Sequence, residues 1–145
     1  MMSRVQLALN VSDLDEAVTF YSKLFATKPA KIRPGYANFA IAEPPLKLVL
    51  IENPAAAGAL NHLGVEVEST DEVGAAQARL ADEGLITATE DNVTCCYAVQ
   101  DKVWVDGPDQ QAWEIYTVLA DADTETIAGD AMCCTDAAES ATRCS

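Results

Sequence analysis

The chain has 145 residues, half of them hydrophobic, enough for one globular unit with a real core. A formal charge of −14 excludes a nucleic-acid binder, whose partner's phosphates demand Lys and Arg, and argues equally against anionic membranes. The opening Met-Met-Ser-Arg runs straight into an apolar alternation and no apolar run approaches membrane-spanning length, so a cytoplasmic protein without signal peptide is expected. In that reducing compartment the five cysteines, an odd number, read as free thiols, metal ligands or reactive groups and not as a disulfide framework.

Val5 to Val11 alternates with period 2: Val5, Leu7, Leu9 and Val11 form an apolar core face, and Gln6, Ala8 and Asn10 the other. Asp13-x-x-Glu16 forms a capping box for a helix with Leu14, Val18, Tyr21, Leu24 and Phe25 on one face. Short strands are expected near 30–33, 36–41 and 47–52, with turns at Pro34-Gly35 and Pro44-Pro45. Asn53 to Gly58 reads as a linker. Leu63, Val65 and Val67 mark the core face of the next strand. Ser69-x-x-Glu72 caps a second helix carrying Val73, Ala76 and Leu80, with Gly84 just past its end. Strands near 85–89, 97–99, 103–105 and 112–117 follow, with Asp106-Gly-Pro108 as a turn. From Asp121 the composition shifts: six acids, one Arg and few large apolar groups suit a disordered tail, which carries Cys133, Cys134 and Cys144.

At an offset of 56 the two halves match: Leu7 falls on Leu63, Val11 on Val67, Asp15 on Asp71, Glu16 on Glu72, Leu24 on Leu80, and Gln6 on the single histidine, His62. A repeat of this size means two copies of one supersecondary unit. Each copy packs a helix on one face of a small sheet, and the other face curves over solvent or a cleft. By alternation Gln6, His62 and Glu114, from three separate strands, lie on that face, with Asn10 and Glu66 behind them and Lys47 as the first-half counterpart of Glu114. Taken singly, a Gln and a Glu on a strand face are usually solvated and a lone His is usually structural. The repeat makes their convergence geometric, and an imidazole, a carboxylate and an amide oxygen suit a divalent first-row metal with open positions, such as Fe(II), Mn(II) or Ni(II).

Cys95 and Cys96 stand in Asn92-Val-Thr-Cys-Cys-Tyr97 between two short strands. Adjacent strand residues point to opposite faces, so two neighbouring thiols hold one soft centre only where the backbone turns. An adjacent pair is poorly placed for an ordinary disulfide. It suits a thiophilic ion such as a trivalent arsenical or Cd(II), and a second pair at Cys133-Cys134, where no core needs filling, favours that over two small buried apolar residues. Gln100-Asp101-Lys102 reads as a solvated turn, or as a closing loop in which Lys102 brings charge to the site. Tyr97 and Tyr116 read as packing residues whose hydroxyls can orient ligands.

Two βαβββ modules with this ligand order resemble the vicinal oxygen chelate superfamily, which includes glyoxalase I, extradiol dioxygenases and bleomycin- and fosfomycin-resistance proteins. The resemblance covers about Ser3 to Leu119. It implies an α+β fold: two βαβββ modules forming a cupped mixed sheet (domain 1–120, modules 3–53 and 60–119), then an acidic tail at 121–145. It also implies a metal triad of Gln6, His62 and Glu114. Many members carry His at the first position, and glyoxalase I-like members carry Gln. Thr-Cys-Cys-Tyr97, with Val5–Tyr21 and Asn61–Val67, is similar to the ArsI/CadI group of C–As lyases, relatives of which are known as cadmium-induced proteins.

That resemblance implies a nonheme, Fe(II)-dependent, O2-dependent lyase of dioxygenase type, with Mn(II), Ni(II) or Co(II) as substitutes for the iron. Cys95 and Cys96 would hold the arsenic of a trivalent organoarsenical, methylarsenite or an aromatic arsenical, and cleavage would release inorganic arsenite for detoxification. Binding through thiolate should weaken at low pH. The rival readings are a Cd(II)- or As(III)-binding resistance protein without turnover and a glyoxalase-type enzyme in which the thiols play no part. The only partner implied is the small molecule; a monomer and a homodimer both suit the superfamily.

Overall fold

The structure is a computed structural model and describes residues 3–95 and 97–121. The first half runs β1 (Arg4–Val11), α1 (Leu14–Leu24), β2 (Lys31–Arg33), β3 (Tyr36–Ile41) and β4 (Leu46–Glu52). The second runs β5 (Leu60–Glu66), α2 (Thr70–Asp82), β6 (Ala88–Cys95), β7 (Ala98–Asp106) and β8 (Ala112–Asp121). One turn of 3-10 helix, Pro54–Ala56, bridges them. All eight strands form one mixed sheet in the order β2-β3-β4-β1-β5-β8-β7-β6. Each half pairs its first and last strands in parallel, β1 with β4 and β5 with β8, and the halves meet through the antiparallel ladder of β1 and β5. The tail beyond Asp121, with Cys133 and Cys134, lies outside the described residues.

Local chemistry explains the helices. Asp13 accepts from the Glu16 amide at the start of α1, while Leu14 N–H donates to Glu52 on β4, tying the helix to the sheet. Ser69 accepts from the Glu72 amide and the Glu72 carboxylate returns to the Glu68 amide, so exposed N–H groups at the start of α2 are met by side chains. Gly84 at φ +85° ends α2, its amide on Ala81 O and the Leu85 amide on Leu80 O. The end of α1 has the same form with Ala26 at φ +51°, where the Ala26 amide meets Lys23 O and the Thr27 amide meets Ser22 O.

Helix α1 lies on β3 and β4 and α2 on β7 and β8, on the convex side. Leu14 joins Phe39, Ile41, Leu48 and Leu50 beneath α1. Leu24, expected on that stripe, is exposed, because the 3.6-residue period carries it off the line of Leu14, Val18, Tyr21 and Phe25. The concave face is the drier one. On β1 the polar-side residues Gln6, Ala8 and Asn10 are buried, whereas Val5 on the apolar side is 46% exposed. Alternation correctly separates the faces but assigns the deeper burial to the wrong one: the sheet curls over Gln6, and the two helices leave the convex centre open.

The second half departs from expectation in two places. Residues 85–87 are not strand, and Ile86 is 92% exposed; the sheet resumes at Ala88 and carries the polar run Glu90-Asp91-Asn92 through a bulge opposite β7. Residues 98–99 and 103–105 belong to one continuous strand, β7, and Tyr97 stands in the turn before it. Gln100-Asp101-Lys102 is therefore strand interior and buried, Gln100 and Lys102 paired on both sides and Asp101 with β8, and neither a solvated turn nor a lid. Polarity misleads there because these side chains bond inward: Asp101 accepts from Thr70 Oγ1 and the Asn92 amide, each at 2.6 Å.

Ala26 holds a left-handed conformation that an L side chain adopts at a cost of about 1 kcal/mol, so Ala26→Gly should stabilise the fold by about 0.5–1 kcal/mol, read as a higher urea midpoint at unchanged slope.

Candidate metal centre

Gln6, His62 and Glu114 converge on the concave face, all nearly fully buried. Gln6 Nε2 lies 3.1 Å from His62 Nε2 and donates to Glu114 Oε2 at 2.7 Å, and His62 Nε2 lies 2.7 Å from the same oxygen. The ladder registers produce this meeting. Gln6 pairs with Gly64 across β1 and β5, and Gly64 with Glu114 across β5 and β8, so Gln6 and Glu114 reach toward each other over a residue with no side chain. A Cβ on Gly64 would stand 3.0 Å from Gln6 Nε2 and from Glu114 Cγ. His62 enters one pair further along, opposite Ala8.

A bulge sets the histidine. Ala8 pairs with His62 but Leu9 with Leu60, so Asn61 is an extra residue on β5. Its side chain comes round to the same side as that of His62, where its Oδ1 meets His62 Nδ1 at 3.0 Å. Asn61 Nδ2 donates to Asn10 Oδ1, which fixes the Asn61 oxygen as the acceptor and puts a proton on Nδ1. Nε2 then faces the centre. Asn61 escaped the sequence reading; its place beside the only histidine was the available signal. Of the two residues expected behind the triad, Asn10 completes this chain and Glu66 pairs with Arg4 Nε at 2.8 Å.

Glu114 is held from the other side by Lys102, whose Nζ lies 2.8 Å from Oε1 in an ionic contact that misses hydrogen-bond alignment. Burial works to raise the Glu114 carboxyl, but the charges of Lys102 and His62 and their close polar contacts outweigh it and hold the group well below the usual carboxylate range. One carboxylate oxygen thus faces Lys102 and the other the centre. Tyr116 donates to Gln6 Oε1 at 2.6 Å, and burial, with Glu66 and Glu114 nearby, keeps its phenol well above the usual value and protonated. Tyr97 instead bonds Pro34 O through its hydroxyl.

The donor set fits a divalent cation. Ligand atoms held at right angles by bonds of about 2.1 Å stand about 3 Å apart, close to the spacing of the three atoms here. With Nδ1 protonated, His62 brings either a second proton or a lone pair against Glu114 Oε2; a cation takes that proton's place. Turning the Gln6 amide over would present Oε1 to the metal and leave Nε2 to donate to the Tyr116 oxygen. Among the described residues no three His, Cys, Asp or Glu side chains cluster, so an amide has to complete any such site.

The register corrects one pairing. Gln6 and His62 are equivalent by the repeat, so Ala8 corresponds to Gly64, and Val49, opposite Ala8, corresponds to Glu114. Lys47 pairs with Gln6 and is not the counterpart of Glu114. A cavity of about 300 Å³ opens beside the triad, lined in part by Tyr36, Lys47 and Val49. Cys95 is the last residue of β6, and the hairpin it begins is tied down by Lys31, which donates to Tyr97 O at 2.8 Å. The Cys95 side chain and all of Cys96 lie outside what is described.

Residues 4–115 match the model of the Glyoxalase/Bleomycin resistance protein/Dioxygenase superfamily, and the chain belongs to that superfamily. Among curated proteins it is 63% identical over 135 residues to a trivalent organoarsenical cleaving enzyme of Thermomonospora curvata, covering 92% of this chain and 89% of that protein. It is 61% identical over 142 residues to the cadmium-induced protein CadI of Mycobacterium tuberculosis, covering 92% and 93%. Among solved structures, the Mn(II)-bound glyoxalase from Novosphingobium aromaticivorans shares the fold at a TM-score of 0.58 and 20% identity, over 88% of this chain and 44% of that one. No described helix is long and apolar enough to cross a membrane.

The Asn61 side-chain oxygen sets which ring nitrogen of His62 faces inward, so Asn61→Ala should weaken Mn(II) affinity about 10- to 100-fold in calorimetric titration. Gly64→Ala should weaken it too, because the added methyl pushes Gln6 and Glu114 apart.

Proposed function

We propose that this protein is a C–As lyase that cleaves trivalent organoarsenicals and releases inorganic arsenite, with Fe(II) on Gln6, His62 and Glu114 and O2 as co-substrate. The observation that carries the metal is the mutual approach of three donor atoms within 3.1 Å around one point. The substrate class is supported by the likeness to the organoarsenical cleaving enzyme over nearly the whole chain. When bound, the iron would supply an open coordination position for oxygen and a redox-active centre through which electrons pass from the substrate to O2. The C–As bond breaks, arsenic leaves as trivalent arsenite, and the organic carbon leaves oxidised, with O2 as the electron acceptor.

The chain's own residues do the rest. The thiolates of Cys95 and Cys96 hold the arsenic, so its carbon stays near the metal and the reaction is in effect unimolecular. Lys102 keeps one Glu114 oxygen occupied and the other aimed inward. Tyr116 and Asn61 orient the remaining ligands. The buried floor restricts water around them. The likeness to the cadmium-induced protein supports a second reading, thiol-dependent sequestration of Cd(II) or arsenite without turnover. Cys133 and Cys134 would then add capacity.

Reduced protein loaded anaerobically with Fe(II), then given methylarsenite and air, should yield inorganic arsenite over several turnovers, followed by arsenic speciation. His62→Ala and Cys96→Ser should abolish the product. Methylarsenite that remains intact but bound through thiols would leave the sequestration reading.

A further inference from the structure

The sheet curls until its two ends meet, and they meet at the hairpin that Cys95 begins. Lys31 stands on β2 at one end of the strand order, and the hairpin joins β6, at the other end, to β7. The Lys31 ammonium donates to Tyr97 O at 2.8 Å and to Asp121 Oδ1 at 2.6 Å. Tyr97 returns the contact. Its hydroxyl donates to Pro34 O at 3.2 Å, and its ring lies 5.4 Å from that of Tyr36. One residue of the second half is thus held by the first half through its backbone, its hydroxyl and its ring.

The residue so held is strained. Tyr97 sits at φ +61°, a left-handed conformation that an L side chain keeps only where its surroundings enforce it. The Lys31–Asp121 pair adds little, because the Asp121 side chain is 72% exposed and water screens the attraction. The bond to Tyr97 O is the stronger one: the Lys31 side chain is 14% exposed, the acceptor belongs to a buried residue, and the donor is charged.

Placement makes this contact consequential. Cys95 pairs with Ala98, and Ala98 lines the same cavity as Lys31, Tyr36, His62 and Glu114. The hairpin and the metal centre therefore face one space of about 300 Å³ from separate elements. The ladders of β8, β7 and β6 support the hairpin from one side. Its other side rests on Lys31, Pro34 and Tyr36.

We infer that Lys31 is a positioning residue for the arsenical: by holding Tyr97 O it sets where the Cys95 hairpin stands relative to the metal centre. The inference rests on the lyase reading for the reaction and on the Lys31–Tyr97 contact for the placement. Thiolates hold arsenic wherever they stand, so loss of the tie leaves binding intact. What suffers is the approach of the arsenic-bound carbon to the metal, and a misplacement of about 1 Å costs about 100-fold in rate.

The test uses the full-length protein and two readouts. In the first, Fe(II)-loaded protein turns over methylarsenite. Lys31→Met, which keeps the apolar stem and loses the ammonium, should lower kcat about 10- to 100-fold with KM held within about twofold, and Lys31→Arg should recover most of the loss. Lys31→Gln replaces the Met variant if that one folds poorly. In the second, 4-fluorophenylarsonous acid is bound to the thiols of the Mn(II)-loaded protein, its hydroxyls leaving as water, and the Mn(II) broadening of its fluorine signal is measured. The broadening falls steeply with distance, so it should shrink in Lys31→Met at full thiol occupancy and return in Lys31→Arg. Either readout unchanged in Lys31→Met overturns the inference. Lost occupancy or lost Mn(II) affinity in both neutral variants marks a general structural role and overturns it too. Arsenite absent from the unaltered protein overturns the lyase reading instead, and the fluorine signal alone then decides the placement.

Discussion

β1 and β5 are joined to each other by an antiparallel ladder and to β4 and β8 by parallel ones, and the registers of those ladders decide which side chains meet. Gln6 faces Gly64, Gly64 faces Glu114, and His62 sits one pair away opposite Ala8. A shift of one residue in the central ladder would turn the histidine to the convex side, because side chains alternate with period 2. The glycine between Gln6 and Glu114 is as much part of this arrangement as those two side chains are. It supplies the space across which an amide and a carboxylate approach to 2.7 Å.

The same geometry gathers charge in a dry place. Glu114 is nearly inaccessible and so is Lys102, and burying either alone would cost several kcal/mol. Each makes the other tolerable. Tyr116 between two ammonium groups, Trp104 donating to Glu90, and Arg4 on Glu66 extend the pattern along the concave face. The helices contribute little to this face. They cover the convex side of the two halves and brace the strands from behind, α1 through Glu52 and α2 through Thr70 and Asp101.

Periodicity and capping chemistry make much of this legible in the sequence. The caps at Asp13 and Ser69 follow from their capping boxes, and the strands near 36–41 and 47–52 and the shared face of Gln6, His62 and Glu114 from alternation and an offset of 56 residues. What is not legible depends on long-range pairing. Gln100 to Lys102 look solvated because their polar atoms find partners only in residues far along the chain. Asn61 gains its place from a bulge that no local pattern announces. Lys47 matches Glu114 by strand order alone, and only the ladder shows that Val49 stands in the corresponding position.

That corresponding position sets the two halves apart in what they can absorb. Ala8 and Val49 pack with Tyr36, Ile51 and Tyr97 into an apolar cluster where the second half holds Gly64 and Glu114. A duplicated scaffold therefore holds the imidazole and the carboxylate in one copy and brings only Gln6 from the other. Drift in the first copy's cluster is limited by shape and volume, as in any core, and isosteric exchange is tolerated there. In the second copy each atom is also limited by charge and direction. The cavity wall contributed by Tyr36 and Val49 is thus free to change within those limits in the first half, where Gln6 is held by its partners, while His62 and Glu114 stay fixed in the second.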